Sequence, residues 1–573
     1  MALGNLLTFY QLQVALTLLA SFFHSPPVSP KCRSQLGDPL FPTINELSQF
    51  NDSIDGQLIA IVPSGSYCLS RGGCTEAEWT SSVFRSTIPG AMTNVNWEQN
   101  YSSDPNELCF RNSTICGAGN VPIFGVNASK PEHIQAGIEF ARTRNLKLVV
   151  KSTGHDFLGR STARNSFLLW TRNFRNITFH DSFEVGGQDM GSAVTVGSGV
   201  PLNMLYQAAK TNGKTFVGGT AGTVAPAGGY VQGAGHSALS PIYGLAADNV
   251  LEFHIVTPNG DLVTANTESH SDLFWALRGG GPGSWGVIVN ATFRTFPILN
   301  ASHQRTTIIV NNTQDVRTLT EIHAQHIFDW DDARAAQYFY WRAIHHTNGG
   351  ASQYSFTIDT LFPNMSVPDS IASLEPMLGD FRDKGFNFTT SSVQTNINDI
   401  LTVSTDLVGG EAVLASRFWS DDVYRNNVTD IGKAYQTLFD DGAAAILGHK
   451  LLGGRVSENA NIDSAVHPGW RTAKTHMVIT NTWKDTTSSI EVETLRNDLT
   501  KNKTPILASL AGPDDGSYSN EGDVREPEFQ RVFYGRNYAR LSSIKAHYDP
   551  HDLFIVPTGV GSERWDSAGL CKL

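Results

Sequence analysis

Six consecutive residues, Lys151-Ser152-Thr153-Gly154-His155-Asp156, join a small-residue turn to an imidazole. Small residues in a tight strand-to-loop turn leave backbone N–H groups free to point at an anion. A histidine held there stands beside whatever anionic group the turn cradles. Such a histidine is often an ordinary surface residue, and a second segment shifts the balance. Residues 218–237 contain seven glycines in 20 residues. That much backbone freedom costs conformational entropy. A flexible linker would carry Ser, Lys and Glu and would not interleave Val224, Tyr230 and Val231. The segment reads as a loop lining a flat or charged ligand.

Other patterns are excluded. Residues 281–286 fit GxGxxG, but a helical stretch precedes them and a strand follows, the reverse of a dinucleotide fingerprint. His323 with His326, and His345 with His346, lack a third ligand at fixed spacing. No metal site is expected.

The elements that must hold these loops follow from periodicity. Helical spacing at 132–145 and an apolar run at 146–150 lead into the histidine loop. A strand at 194–200, a helix at 202–212, a hairpin over 251–265, a helix at 272–278 and a strand at 286–296 follow. Alternating runs at 306–310, 337–343 and 354–362 predict an antiparallel sheet, with helices at 370–384 and 488–501 lying on it. A last helix is expected over 537–547, ended by Asp549-Pro550.

The chain has 573 residues and a net charge of −12. That balance argues against nucleic acid or an anionic membrane as the main partner. An apolar run at 12–20, extended by Phe22 and Phe23 and stopped by Pro26, Pro27 and Pro30, reads as a secretory signal over 1–25, although no Lys or Arg precedes it. The 12 Asn-X-Ser/Thr sequons point to a secreted glycoprotein. Six cysteines cluster at the ends of the chain, which reads as disulfide staples. Cys68–Cys74 and Cys109–Cys116 are the favoured short loops, leaving Cys32–Cys571, among fifteen formal connectivities.

The histidine loop, the glycine loop, residues 244–251, residues 272–281 and the terminal Tyr534-Gly535-Arg536-Asn537-Tyr538 occur in one order. In this the chain resembles the vanillyl-alcohol oxidase/p-cresol methylhydroxylase flavoproteins, and more closely their fungal berberine bridge enzyme-like branch. The resemblance implies an α+β fold. It would comprise a signal (1–25), an irregular disulfide-tied region (26–117), a PCMH-type FAD domain (118–300), a substrate domain with a helix-covered antiparallel sheet (301–515), and a C-terminal segment rejoining the FAD domain (516–573). It implies FAD bonded covalently to His155 and cradled by Lys151, Ser152, Thr153, Gly154 and Asp156. Gly222, Gly229, Gly235, Val287 and Asn537 would also border the cofactor. Relatives often add a second bond from a Cys at the position of Gly222, so a single link is expected here. In the segment 516–523, relatives carry a second Tyr where Glu521 stands. Tyr518, Asn520 and Glu521 are the expected catalytic residues, with Glu521 a general base if burial raises its pKa. The implied activity is a secreted, monomeric oxidase. It would pass hydride from a small alcohol, phenol or secondary metabolite to FAD and then to O2, giving H2O2, with a small residue at Ala225 admitting oxygen. A carbohydrate oxidase of the same fold, or a flavin-bearing protein without turnover, is the alternative.

Overall fold

The computed structural model describes residues 31–573 apart from 104–106, 345–352, 403–407 and 513–515. The expected signal segment, and His345 with His346, lie outside the described residues.

The first sheet holds β1 (Leu58–Ala60), β2 (Phe124–Asn127), β3 (Leu148–Lys151) and β4 (Phe167–Trp170), in the order β1-β2-β4-β3. β2 and β3 both run parallel to β4. The crossover from β2 to β3 is the helix Pro131–Thr143. Proline opens it, where a missing N–H costs nothing. Its Ile134, Ile138 and Ala141 are buried along one stripe, against Phe124, Leu148, Phe167 and Leu169. That core fixes where β3 ends and the histidine loop begins.

The second sheet holds β5 (Ile177–His180), β6 (Ala193–Gly197), β7 (Val250–Val256), β8 (Leu262–Ala265) and β9 (Val287–Arg294), in the order β8-β7-β9-β6-β5, antiparallel throughout. The helix Ser271–Leu277 precedes the 281–286 glycines and β9 follows them, as the sequence order required.

The third sheet is seven-stranded and antiparallel. It holds β10 (Asn300–Val310), β11 (Ala336–Ile344), β12 (Gln353–Pro363), β13 (Phe388–Asn396), β14 (Glu411–Ser420), β15 (Ala445–Lys450) and β16 (Ala473–Trp483). Its order is β13-β10-β12-β11-β15-β16-β14. Leu319, Leu378 and Leu438 from three helices pack with Phe356 and Ile479 of the sheet. The α+β expectation holds.

The N-terminal region is more regular than expected. Ile44–Ser53 is a helix, and β1 pairs with β2, so this region is an edge of the first sheet. Thr43 and Glu46 form a reciprocal capping box at the helix start. That four-residue signal is easily lost among the surrounding Pro, Gly and Ser. All six cysteines pair as favoured: Cys32–Cys571, Cys68–Cys74 and Cys109–Cys116. No helix among the described residues is long and apolar enough to cross a membrane.

Candidate active site

β3 delivers residues 152–156 as a turn. Gly154 has φ +88°, and a Cβ there would lie 2.9 Å from Lys151 Cε and 3.0 Å from the Ala91 carbonyl oxygen. Glycine is the residue that fits. Asp156 braces the turn from within. Its Oδ1 accepts from Leu158 N at 3.0 Å, and its Oδ2 from Ser161 N at 2.6 Å and Ser161 Oγ at 2.8 Å. Ser152 Oγ donates to the Ser198 carbonyl at 2.5 Å, and Thr153 is buried. Burial pushes the His155 imidazole down to about 4. It is therefore neutral at ordinary pH. Its Nε2 meets Thr223 Oγ1, which joins the histidine turn to the glycine loop.

Lys151 is buried and held by backbone carbonyls. Its ammonium donates to the carbonyls of Ile88 (3.0 Å), Pro89 (2.8 Å) and Ala91. Burial pushes it down to about 7, and a buried amine needs such partners. Val287 and Asn537 also hold the protein together. Val287 is buried in β9 opposite Val256, and Asn537 Nδ2 donates to the Val466 carbonyl at 3.0 Å.

The segment around 516–523 docks on the glycine loop. Asn520 Nδ2 donates to the Gly229 carbonyl and to the Tyr518 hydroxyl oxygen, both at 3.0 Å. A Cβ on Gly233 would sit 2.5 Å from Asn520 Nδ2, so this docking needs glycine there. Gly222 and Gly235 act through their backbone: the Gly222 carbonyl accepts from Asn203 N and the Gly235 carbonyl from Ala246 N, both at 2.8 Å. Ala234 holds φ +116°, a strained conformation for a residue with a Cβ. It immediately precedes Gly235 and His236.

His236 is the residue the sequence reading passed over, together with His449 and His476. His236 Nε2 lies 3.1 Å from Glu521 Oε1. His449 in β15 and His476 in β16 face the same carboxylate. Trp470 and Tyr518 wall the cluster, with ring centroids 5.3 Å apart. The four polar residues are separated in sequence by up to 285 positions, so no local spacing betrays them. The Glu521 expectation is overturned on its condition. Burial alone would raise the carboxyl, but His236, His476 and His449 outweigh it and hold it at about 2. Burial pushes His449 down to about 4 and holds His476 well below its ordinary value. Burial and then Glu521 push the Tyr518 hydroxyl well above its ordinary range. The arrangement is one carboxylate ringed by three imidazoles, two of which, His449 and His476, burial biases toward the neutral form, beside a phenol that keeps its proton. His323 and His326 form no such group. His323 bonds Gln337 Oε1 at 2.6 Å, while His326 sits between Asp329 and Asp380.

The residues present fit a flavin dinucleotide. Arg160 Nη1, Ser198 Oγ, Ser284 Oγ, Ser519 Oγ and Asn520 Oδ1 are buried with no partner in the protein. Ser198 touches the histidine turn, and Arg160 is anchored to Pro557 and Thr558 of the C-terminal segment at 3.0 and 2.9 Å. Buried polar atoms left unmatched are costly unless a ligand meets them.

Comparison with known proteins agrees. Residues 122–266 match the FAD binding domain family and residues 517–561 the berberine and berberine-like family. An uncharacterized FAD-linked oxidoreductase of Arthroderma benhamiae is 35% identical, over 97% of this chain and 99% of its own length. The flavin-dependent oxygenase ucdF of Aspergillus ustus is 33% identical, over 91% of this chain and 98% of its own length. Among solved structures, the VAO-type flavoprotein MtVAO713 from Myceliophthora thermophila C1 superposes with a TM-score of 0.86 at 26% identity, covering 95% of this chain and 100% of that one. The chain therefore belongs to the FAD-linked oxidoreductases of the vanillyl-alcohol oxidase type that end in a berberine-like segment.

Proposed function

We propose that this protein is a secreted oxidase with FAD attached covalently through His155 alone. It would act on a small alcohol, phenol or secondary metabolite, consuming O2 and releasing H2O2. The contact between His155 and Thr223 carries the reading, because it puts a neutral imidazole where the two cofactor-type loops meet. Gly222 supports a single link, since no cysteine is present between Cys116 and Cys571 to make a second. The buried, small Ala225 on the same loop favours oxygen access.

The histidine turn, Arg160, Ser198 and Ser284 would hold the cofactor, which supplies the two-electron acceptor. The chain's own side chains handle the substrate's proton. Glu521 stays charged and orients His236, whose imidazole accepts the proton from a substrate O–H or N–H. Tyr518 keeps its proton and donates a hydrogen bond, steadied by Asn520. The apolar run at 12–20 and the sequons support secretion, and eight sequon asparagines, Asn112, Asn176, Asn300, Asn311, Asn364, Asn387, Asn427 and Asn502, are exposed.

The test is peroxide release by purified protein on a panel of alcohols, phenols and oligosaccharides, run with a tryptic map. A flavin-bearing His155 peptide and peroxide from a small substrate are expected. Peroxide from oligosaccharides alone would move the protein to the carbohydrate oxidases. A bound flavin that no substrate reduces would mark loss of turnover.

A further inference from the structure

Glu521 and the three histidines around it come from three parts of the chain: the glycine loop, the neighbouring strands β15 and β16, and the docked C-terminal segment. His449 and His476 are directly paired across β15 and β16. Their side chains therefore leave the same face of the sheet, and their Nδ1 atoms are 3.3 Å apart. Glu521 Oε2 lies 3.5 Å from His476 Nδ1 and 3.9 Å from His449 Nδ1, and Glu521 Oε1 lies 3.1 Å from His236 Nε2. One donor atom from each residue falls within 4.8 Å of all the others. A tetrahedral ion with bonds of about 2.0–2.1 Å sets its ligand atoms about 3.3–3.4 Å apart. The 3.3 Å between the two Nδ1 atoms matches that edge, the 3.5 and 3.9 Å from them to Glu521 Oε2 run slightly long, and His236 approaches the other carboxylate oxygen at 3.1 Å.

The ring nitrogens turned away from Glu521, His236 Nδ1 and His476 Nε2, are buried and have no partner, so no second hydrogen bond fixes the tautomer of either ring. Two facing Nδ1 atoms cannot both carry protons, and two facing lone pairs repel.

We infer that His236, His449, His476 and Glu521 bind a divalent transition-metal ion of the zinc class. Three imidazoles and a carboxylate are a nitrogen-rich set that suits Zn2+ and its neighbours, whereas Mg2+ and Ca2+ take oxygen. The side chains of His476, His449, His236 and Glu521 are 1%, 9%, 11% and 19% exposed, so a bound ion is shielded from bulk water. No electron transfer to the ion is involved. Binding occupies imidazole lone pairs that the proposed reaction uses for the substrate's proton. Zinc-loaded and zinc-free protein should therefore differ in turnover, while metal binding itself does not depend on that reading.

The test uses full-length flavin-loaded protein, treated with a chelator, dialysed against graded Zn2+ and counted for zinc by inductively coupled plasma mass spectrometry. Flavin is counted by absorbance in the same samples. One zinc per chain is expected, held at least about tenfold more weakly in Glu521→Gln and His449→Ala. His476→Gln is the further variant should His449→Ala fail to fold, and far-UV circular dichroism checks folding throughout. X-ray absorption at the zinc edge should show nitrogen and oxygen neighbours and no sulfur. No zinc above background, or zinc held equally by folded variants, overturns the proposal and leaves a hydrogen-bonded domain junction. Loss of zinc binding in His449→Ala with flavin and turnover retained would support this site and leave the proposed function standing. Zinc bound in a protein that retains no flavin would sink that function and not this site.

Discussion

His155 and Glu521 sit at the two ends of the chemistry, and each makes a separable prediction. His155 is neutral because it is buried, which leaves a ring nitrogen able to form a bond to carbon. The wild-type protein should stay yellow after acid precipitation, with the flavin mass on the His155 peptide and on no cysteine peptide. His155→Ala should release its flavin on denaturation. Flavin that washes out of acid-precipitated wild type would refute the covalent link. Glu521 is a different case, because its carboxylate is too acidic to take a proton near neutrality. Its work is to orient His236. Glu521→Gln and His236→Ala should each slow anaerobic flavin reduction by about 10²–10⁴-fold with flavin still attached. Tyr518→Phe should cost less, since that hydroxyl only donates. A collapsed rate in Tyr518→Phe with normal rates in the other two would move the proton acceptor to Tyr518.

The helix Tyr538–Tyr548 holds the C-terminal segment against the flavin-type sheets. Lys545 is fully buried on it, with Asp549 Oδ2 at 2.6 Å and the carbonyls of Ser284 and Phe554 at 2.8 and 2.7 Å. Asp549 in turn accepts from Leu553 N and Phe554 N at 2.8 and 2.9 Å. Removing one partner strands a buried charge, which typically costs about 3–5 kcal/mol. Lys545→Met should lower the melting temperature clearly, and more than Lys210→Met, whose ion pair with Asp399 is exposed. Equal shifts in the two variants would deny Lys545 this role. The helix itself was legible, because helical spacing and a closing Asp549-Pro550 mark it. Its buried lysine was not, because no local pattern separates a buried lysine from one on a solvent face.

Across the whole molecule, the disulfide Cys32–Cys571 joins residues 539 apart. It closes the widest loop that the six cysteines permit, so it chiefly restricts the unfolded state. Cys32→Ser/Cys571→Ser should lose about 2–5 kcal/mol of stability and retain its flavin. Thiol titration of unfolded, unreduced protein should find almost no free thiol. Acid should also weaken the fold. Burial pushes His323 from 6.5 to about 4, so the folded state favours the neutral ring. The unfolded state binds the extra proton first as pH falls. The stabilisation is whole above pH 6.5 and is lost down to about pH 4, a loss of about 3 kcal/mol from this group. A melting profile between pH 7 and 4 should fall, and His323→Asn should flatten it. Parallel profiles would place the acid sensitivity elsewhere.

What could be read from the chain was whatever lies within one turn, one helix or one strand pair. The 152–156 turn, the glycine loop, the hairpin over 251–265 and the short disulfides are all local, and each rests on glycine freedom, periodicity or short loop closure. The reversed order around 281–286 was equally plain. The partners of Lys151 were not legible, because the carbonyls of Ile88, Pro89 and Ala91 are 60 or more residues away. The acidity of Glu521 was likewise beyond reach. A carboxyl with no known neighbours is expected to rise on burial, and the three imidazoles that reverse this come from position 236 and from two paired strands. Long-range strand pairing brought them together, and no sequence spacing encodes that meeting.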